Sequence, residues 1–89
     1  MKKTLIRKLT IGRRNNVIEK TLELKEIPNN DYTFFVVTLW DALKSEFIFD
    51  YTFHDIDSAK LEYDILQSFL IQHENFEELT EEITHIKTL

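Results

Sequence analysis

The chain has 89 residues, 43% apolar and 30% charged, with no cysteine and a formal charge of −5. That size suits a single domain over residues 1–89 with one modest core, and excludes a dinucleotide-binding enzyme or a barrel. The absence of thiols excludes disulfides, thiolate zinc sites, iron–sulfur clusters and cysteine nucleophiles.

Net charge conceals a division. Residues 1–26 carry eight Lys/Arg against three Glu, a balance of +5, and residues 27–89 carry three Lys against thirteen Asp/Glu, a balance of −10. The simplest reading is that the two parts complement each other inside one fold; an asymmetric surface for an electrostatic partner is the alternative. Met1, Lys2, Lys3 and Thr4 resemble the start of a signal peptide, but Arg7 and Lys8 interrupt the apolar run well short of a signal core. No window approaches the roughly 18 apolar residues of a membrane span. The chain reads as cytoplasmic.

With one Gly and one Pro, turns depend on Asn and Asp, which tolerate left-handed backbone. Turn signals fall at 12–16, 28–31 and 41–45, and strand-like runs lie between them. The first, residues 3–12, has Leu5, Leu9 and Ile11 in phase, with Arg7 intruding. In the second, residues 17–27, Ile18, Leu22 and Leu24 alternate with Glu19, Thr21, Glu23 and Lys25. Residues 32–40 are apolar on both faces, and residues 46–53 place Phe47, Phe49, Tyr51 and Phe53 in one phase. Short loops make an antiparallel meander over 3–53 the natural topology.

After Phe53 the period becomes helical. Asp57 is a cap candidate, with Ile56 and Leu61 placed for a hydrophobic staple. Ala59, Tyr63, Leu66, Leu70 and His73, flanked by Leu61, Ile65 and Phe69, give a stripe over about 57–73. A second helix is expected over about 76–87 from Phe76, Leu79, Ile83 and Ile86; Thr80, Thr84 and Thr88 weaken it in favour of a strand over 83–89. The expected fold class is α+β: a four-stranded antiparallel meander followed by one or two C-terminal helices packed on one sheet face.

Register follows from the loops, since antiparallel partners share a face. Loops at 13–16, 28–31 and 41–45 set Leu5 against Leu24, Ile11 against Ile18, Leu22 against Val37, Leu24 against Phe35, Leu39 against Phe47 and Val37 against Phe49. The core face is then Leu5, Leu9, Ile11, Ile18, Leu22, Leu24, Phe35, Val37, Leu39, Phe47, Phe49 and Tyr51. The opposite face carries Thr4, Ile6, Lys8 and Thr10 on one side, and Tyr32, Phe34, Val36, Thr38, Trp40 and Ile48 beside Glu46 and Asp50 on the other. Tyr32, Phe34, Val36, Trp40 and Ile48 are the candidate partner-binding residues, because contiguous exposed apolar patches mark interfaces and Trp and Tyr anchor them. Internal cover by the second helix or the N-terminus is the plain alternative.

Glu77, Glu78, Glu81 and Glu82 would form an acidic ridge on the second helix, fitting a partner with a basic surface. Exposed rings on an antiparallel sheet also describe single-stranded nucleic-acid platforms, with Lys8, Arg13, Arg14 and Lys20 as candidate phosphate contacts; the nearby acids oppose that reading. No metal or cofactor is expected. His54, Asp55 and Asp57 are explained by helix capping, and the echo of HExxH at His73 fails because Glu77 replaces its second His. No serine lies in a glycine-flanked elbow, and Gly12 alone makes no phosphate loop. The reading is a small non-catalytic protein-interaction protein of the inhibitor, immunity or adaptor type, a build that suits phage-encoded inhibitors. A single-stranded nucleic-acid binder and a structural homodimer are the competing classes.

Overall fold

Alternation of apolar and polar residues along the first 53 positions is met by four consecutive strands, each antiparallel to the one before. The computed structural model describes residues 3–13, 17–73 and 78–83. Strands β1 (Thr4–Arg13), β2 (Val17–Asn29), β3 (Tyr32–Asp41) and β4 (Glu46–Phe53) precede helix α1 (Ile56–His73) and strand β5 (Glu78–Ile83). The sheet order is β4-β3-β2-β1-β5. The expected meander with a C-terminal helix is therefore present, and a fifth strand extends it.

That fifth strand corrects the second helix expected over 76–87. Residues 78–83 pair antiparallel with β1, from Gly12 opposite Glu78 to Arg7 opposite Ile83. Leu79 and Ile83 share one phase of the strand, with Glu81 between them, and β-branched Thr80 and Ile83 suit a pleated surface better than a helical turn. Residues 76–77 and 84–89 lie outside those described. α1 connects β4 at one edge to β5 at the other. Its 18 residues span ~27 Å, more than the ~19 Å across four inter-strand steps.

All three hairpin registers differ from expectation, but mostly by an even step. Leu22 pairs with Leu39 and Leu24 with Val37, because the turn is only Asn30 and Asp31, with Asn30 at φ 48°. Leu39 pairs with Phe49 and Val37 with Tyr51, and Leu9 pairs with Leu22. A slip of two residues preserves the face of every side chain, so the core face is largely as expected. The exceptions are bulges.

Between Leu5 and Arg7 the register shifts, and Ile6, expected on the open face, is buried to 3% exposure. Leu5 leaves the core face and lies opposite Lys25. A second shift falls between Ile11 and Gly12, and a third, between Leu39 and Trp40, sets Phe47 opposite Trp40 and Glu46 opposite Asp41. Phe47 therefore moves to the open face and Glu46 off it. A bulge adds one unpaired residue and inverts the phase beyond it, which no hairpin-loop count reveals.

Leu9, Ile11, Leu22, Leu24, Val37 and Leu39 of the sheet meet Ala59, Tyr63 and Leu70 of α1 to form the core. Phe35, Phe49, Phe53, Ile56 and Leu66 pack against it. The flanking Leu61, Ile65 and Phe69 are exposed, so the apolar part of the helix is wider than the face it buries; the side chain of His73 lies outside the described ones. Arg7, polar among core residues, fixes the helix in place. Its guanidinium sits 4.3 Å from the Tyr63 ring centroid and donates to Asp64 Oδ1 at 2.7 Å and Gln67 Oε1 at 3.1 Å.

Arg7 is 19% exposed and Asp64 58%, so the ion pair is solvent-screened and adds less than the stacking. Arg7→Ala is expected to lower the unfolding free energy by about 1–2 kcal/mol, and Asp64→Asn by about 0.5 kcal/mol or less. Urea unfolding measures both; equal losses would show that the salt bridge, not the stacking, holds the helix.

Candidate functional site

Residues of one parity on β3 alternate away from the core, and these build the candidate face. Tyr32 (65% exposed) and Phe34 lie 5.7 Å apart by ring centroids, and Phe34 lies 5.3 Å from His54. Val36 and Trp40 continue the row, half-buried. Trp40 meets Phe47 edge-on at 4.8 Å, and Ile48, the bulge residue, is exposed. The structure thus gathers Tyr32, Phe34, Val36 and Trp40 on one side of the sheet, with Ile48 at its margin, and adds Phe47. Among the described elements, α1 packs on the other side and none lies across this one.

Phe47 was the residue that sequence reasoning missed. Its signal is the unbroken run Phe47, Ile48, Phe49, where apolar residues in succession leave the phase undetermined and a bulge can fall anywhere. Thr38, between Val36 and Trp40, is buried. It lies opposite Glu23 on one neighbour and Asp50 on the other, while Lys25 approaches Glu23 at 3.7 Å. The face is therefore aromatic at one side and mixed in charge across its middle, with no concentrated cationic groove among the described residues.

The candidate phosphate contacts do not converge. Lys8 lies opposite Glu23 and, on its other side, Glu82. Lys20 lies opposite Ile11 and Asp41, one strand face away from Lys8. Arg13 ends β1, its side chain is outside those described, and so is Arg14. The acidic ridge does not form as a ridge: Glu78, Glu81 and Glu82 are spaced along β5, whose extended backbone separates positions that a helix would stack, and Glu77 lies outside the described residues.

At the end of β4 the chain enters α1 through Asp55 rather than Asp57. Ser58 N donates to Asp55 Oδ2 at 2.8 Å, and Ala59 N to Asp55 O at 3.4 Å. Ala59 rather than Leu61 thus occupies the fourth helical position, and the staple between Ile56 and Leu61 does not arise. The other turn works similarly: Asp41 Oδ1 accepts from Leu43 N at 3.0 Å and Lys44 N at 3.2 Å, which satisfies a carboxylate buried at the end of β3. Among the described residues no group of three or more His, Asp or Glu is gathered to hold a metal ion. None of the described helices is long and apolar enough to cross a membrane.

Comparison with protein families, with curated proteins and with solved structures gives no match. The functional reading therefore rests on the chain's own geometry.

Hydrogen bonds from Ser58, its backbone N–H first and its hydroxyl second, hold the Asp55 carboxyl below its ordinary value of 3.8. A carboxylate with a depressed pKa stabilises the fold fully above its unfolded pKa and ceases to as pH falls through the folded one. Asp55→Ala is expected to melt a few degrees below the wild type at neutral pH, with the gap closing as pH drops below about 3.8. Asp55→Asn should retain much of the cap without that acid-dependent component. Thermal melts across a pH series decide it; a gap that persists unchanged into strong acid would place the effect elsewhere.

Proposed function

We propose that this chain is a small non-catalytic protein-interaction protein, of the inhibitor, immunity or adaptor kind, acting in the cytoplasm. It binds a protein partner through the sheet face of Tyr32, Phe34, Val36, Trp40, Phe47 and Ile48. The observation that carries this reading is a row of rings on the side of the sheet that no described element covers, from Tyr32 and Phe34 to the Trp40–Phe47 pair. Rigid aromatic side chains supply large contact area at small entropic cost, and Trp and Tyr dominate the energetics of protein interfaces. With the acidic ridge dispersed along β5, the aromatic face alone supports this reading.

A single-stranded nucleic acid would stack on the same rings, but its phosphates need a positive groove. Lys8 and Lys20 lie on opposite sides of the sheet, and Glu23 and Asp50 flank the middle of the face. The geometry therefore favours a protein.

Affinity capture from cells that express the chain, using wild type, Phe34→Asp and Trp40→Ala, tests the reading. A discrete protein should be retained by wild type and lost with Phe34→Asp. Trp40→Ala should weaken the isolated complex by about 2 kcal/mol, roughly 30-fold. Retention unchanged by both substitutions, in folded variants, would sink the proposal. So would a steeply salt-dependent gel shift with single-stranded DNA or RNA, or a homodimer that Trp40→Ala dissociates.

A further inference from the structure

We propose that the outer edge of β4 is a separate docking site, which accepts an extended polypeptide segment of alternating aliphatic and basic residues as an added strand. This goes beyond the aromatic-face reading and does not depend on it. β4 ends the described sheet, so alternate residues turn backbone N–H and C=O groups away from β3 toward no further described strand. Beyond the bulge at Ile48, pairing with β3 is regular from Phe49 to Phe53. That stretch is an unbroken template for β-strand addition.

Side chains on the helix side of the template are apolar. Phe49 and Tyr51 have ring centroids 6.1 Å apart and nearly parallel planes, and Tyr51 and Phe53 lie 4.9 Å apart. Tyr51 is on the core face by register yet 57% exposed, because α1 does not extend over the edge strand there. With Glu62 of α1, these rings line an open groove of about 300 Å³. Leu61, next to Glu62, begins an exposed series with Ile65 and Phe69 at i, i+4 spacing.

Charge selects the occupant. β4 contains Glu46 and Asp50 and no Lys or Arg, Glu62 lines the groove, and Asp55 and Asp57 follow the strand. The nearest cations in sequence, Lys44 and Lys60, lie in the preceding turn and on α1. One face of an incoming strand would meet Phe49, Tyr51 and Phe53, and the other would meet Asp50 and Thr52. Cross-strand pairing with Asp50 therefore asks for Lys or Arg on the second face and aliphatic side chains on the first, with a period of two, while Glu62 on the helix side adds a negative field at longer range. A second copy of β4 fails that requirement, since it has no Lys or Arg: antiparallel self-pairing centred on Asp50 sets Asp50 against Asp50, where like charges destabilise, and centred on Tyr51 it sets Asp50 against Thr52 with no cation to meet it. Bulges and charged residues are also how edge strands resist indiscriminate pairing. Here they disfavour acidic strands and the chain's own β4, and leave basic strands favoured.

The probe is a synthetic peptide of alternating lysine and valine, matched to the 8 residues of β4 and N-methylated along one edge to keep it monomeric. A glutamate–valine peptide of the same design is its control. NMR titration of the full chain should show amide shifts centred on residues 49–53 and Glu62, with the lysine peptide binding at least about tenfold tighter than the glutamate peptide. In Asp50→Lys/Glu62→Lys that order should reverse, and Tyr51→Ser should weaken both peptides. A spectrum unchanged outside the groove verifies that the variants fold. Absence of shifts on β4, equal binding of the two peptides, or shifts confined to Tyr32, Phe34 and Trp40 would each overturn the inference; the last would leave the aromatic-face reading standing.

Discussion

The guanidinium of Arg7 lies over the ring of Tyr63 while its nitrogens reach Asp64 and Gln67, and the rest of the architecture depends on that docking. α1 is the only described helix, and it must cover the apolar side of a five-stranded sheet alone. Its buried residues, Ala59, Tyr63 and Leu70, are few, so its position over the sheet is set at a small number of points. The bulge at Ile6 makes the docking feasible. It sinks Ile6 into the core while the next residue, Arg7, lines up with Leu24 and faces the helix. One extra residue thus supplies both a core side chain and the polar contact that orients the helix. Docked there, α1 reaches less completely over β4, and the exposure of Tyr51 follows.

Much of this was legible in the sequence. The alternating runs located β1 to β4, and the shift to helical period after Phe53 located α1 to within one residue of its start. The core face survived wrong loop lengths because side chains alternate with a period of two, and most of the registers were wrong by two. Phase inversions were not legible. Ile6, Leu5, Phe47 and Glu46 each lie at or beside a bulge, where one unpaired residue moves its neighbours to the other face. The second helix failed for a different reason. Leu79 and Ile83 fit a helical spacing of four as well as a strand's spacing of two, and over so short a segment only the open edge of β1 decides between them. On β3 both phases are apolar, and the strongly apolar core partners in one of them leave Tyr32, Phe34, Val36 and Trp40 together on the other side of the sheet. On β4 the bulge at Ile48 adds Phe47 to that side.

The uneven charge of the chain has an internal explanation as well as an external one. β5, from the acidic part, lies along β1, from the basic part, with Glu82 opposite Lys8. Arg7 meets Asp64 across the helix–sheet junction. Segments far apart in sequence and opposite in charge therefore lie side by side, which accounts for part of the basic surface of the first hairpin. What is left over is not spread evenly. Both edge strands contain acids and no Lys or Arg, Glu46 and Asp50 on β4 and Glu78, Glu81 and Glu82 on β5, and Asp55, Asp57 and Glu62 add to the β4 side. Net charge alone would have suggested a uniformly acidic surface; the fold instead sets the bases of β1 inside the sheet, between acidic edges.

Strand order carries a further consequence for how the molecule assembles. β5 is the last described strand in sequence, yet it pairs with the first, so β1 remains an open edge while β2, β3, β4 and α1 are being synthesised. The meander and helix can form from local hairpins and one crossover, contacts of short sequence separation that close early. β5 must then find a preformed edge more than sixty residues away along the chain, the costliest loop closure in the fold. During that interval Arg7 and Lys8 on β1 act as guards, because charged side chains along an open strand hinder pairing with other nascent chains. The bases of the first hairpin would thus serve the chain before β5 pairs, and the acids of β5 would relieve them once it does.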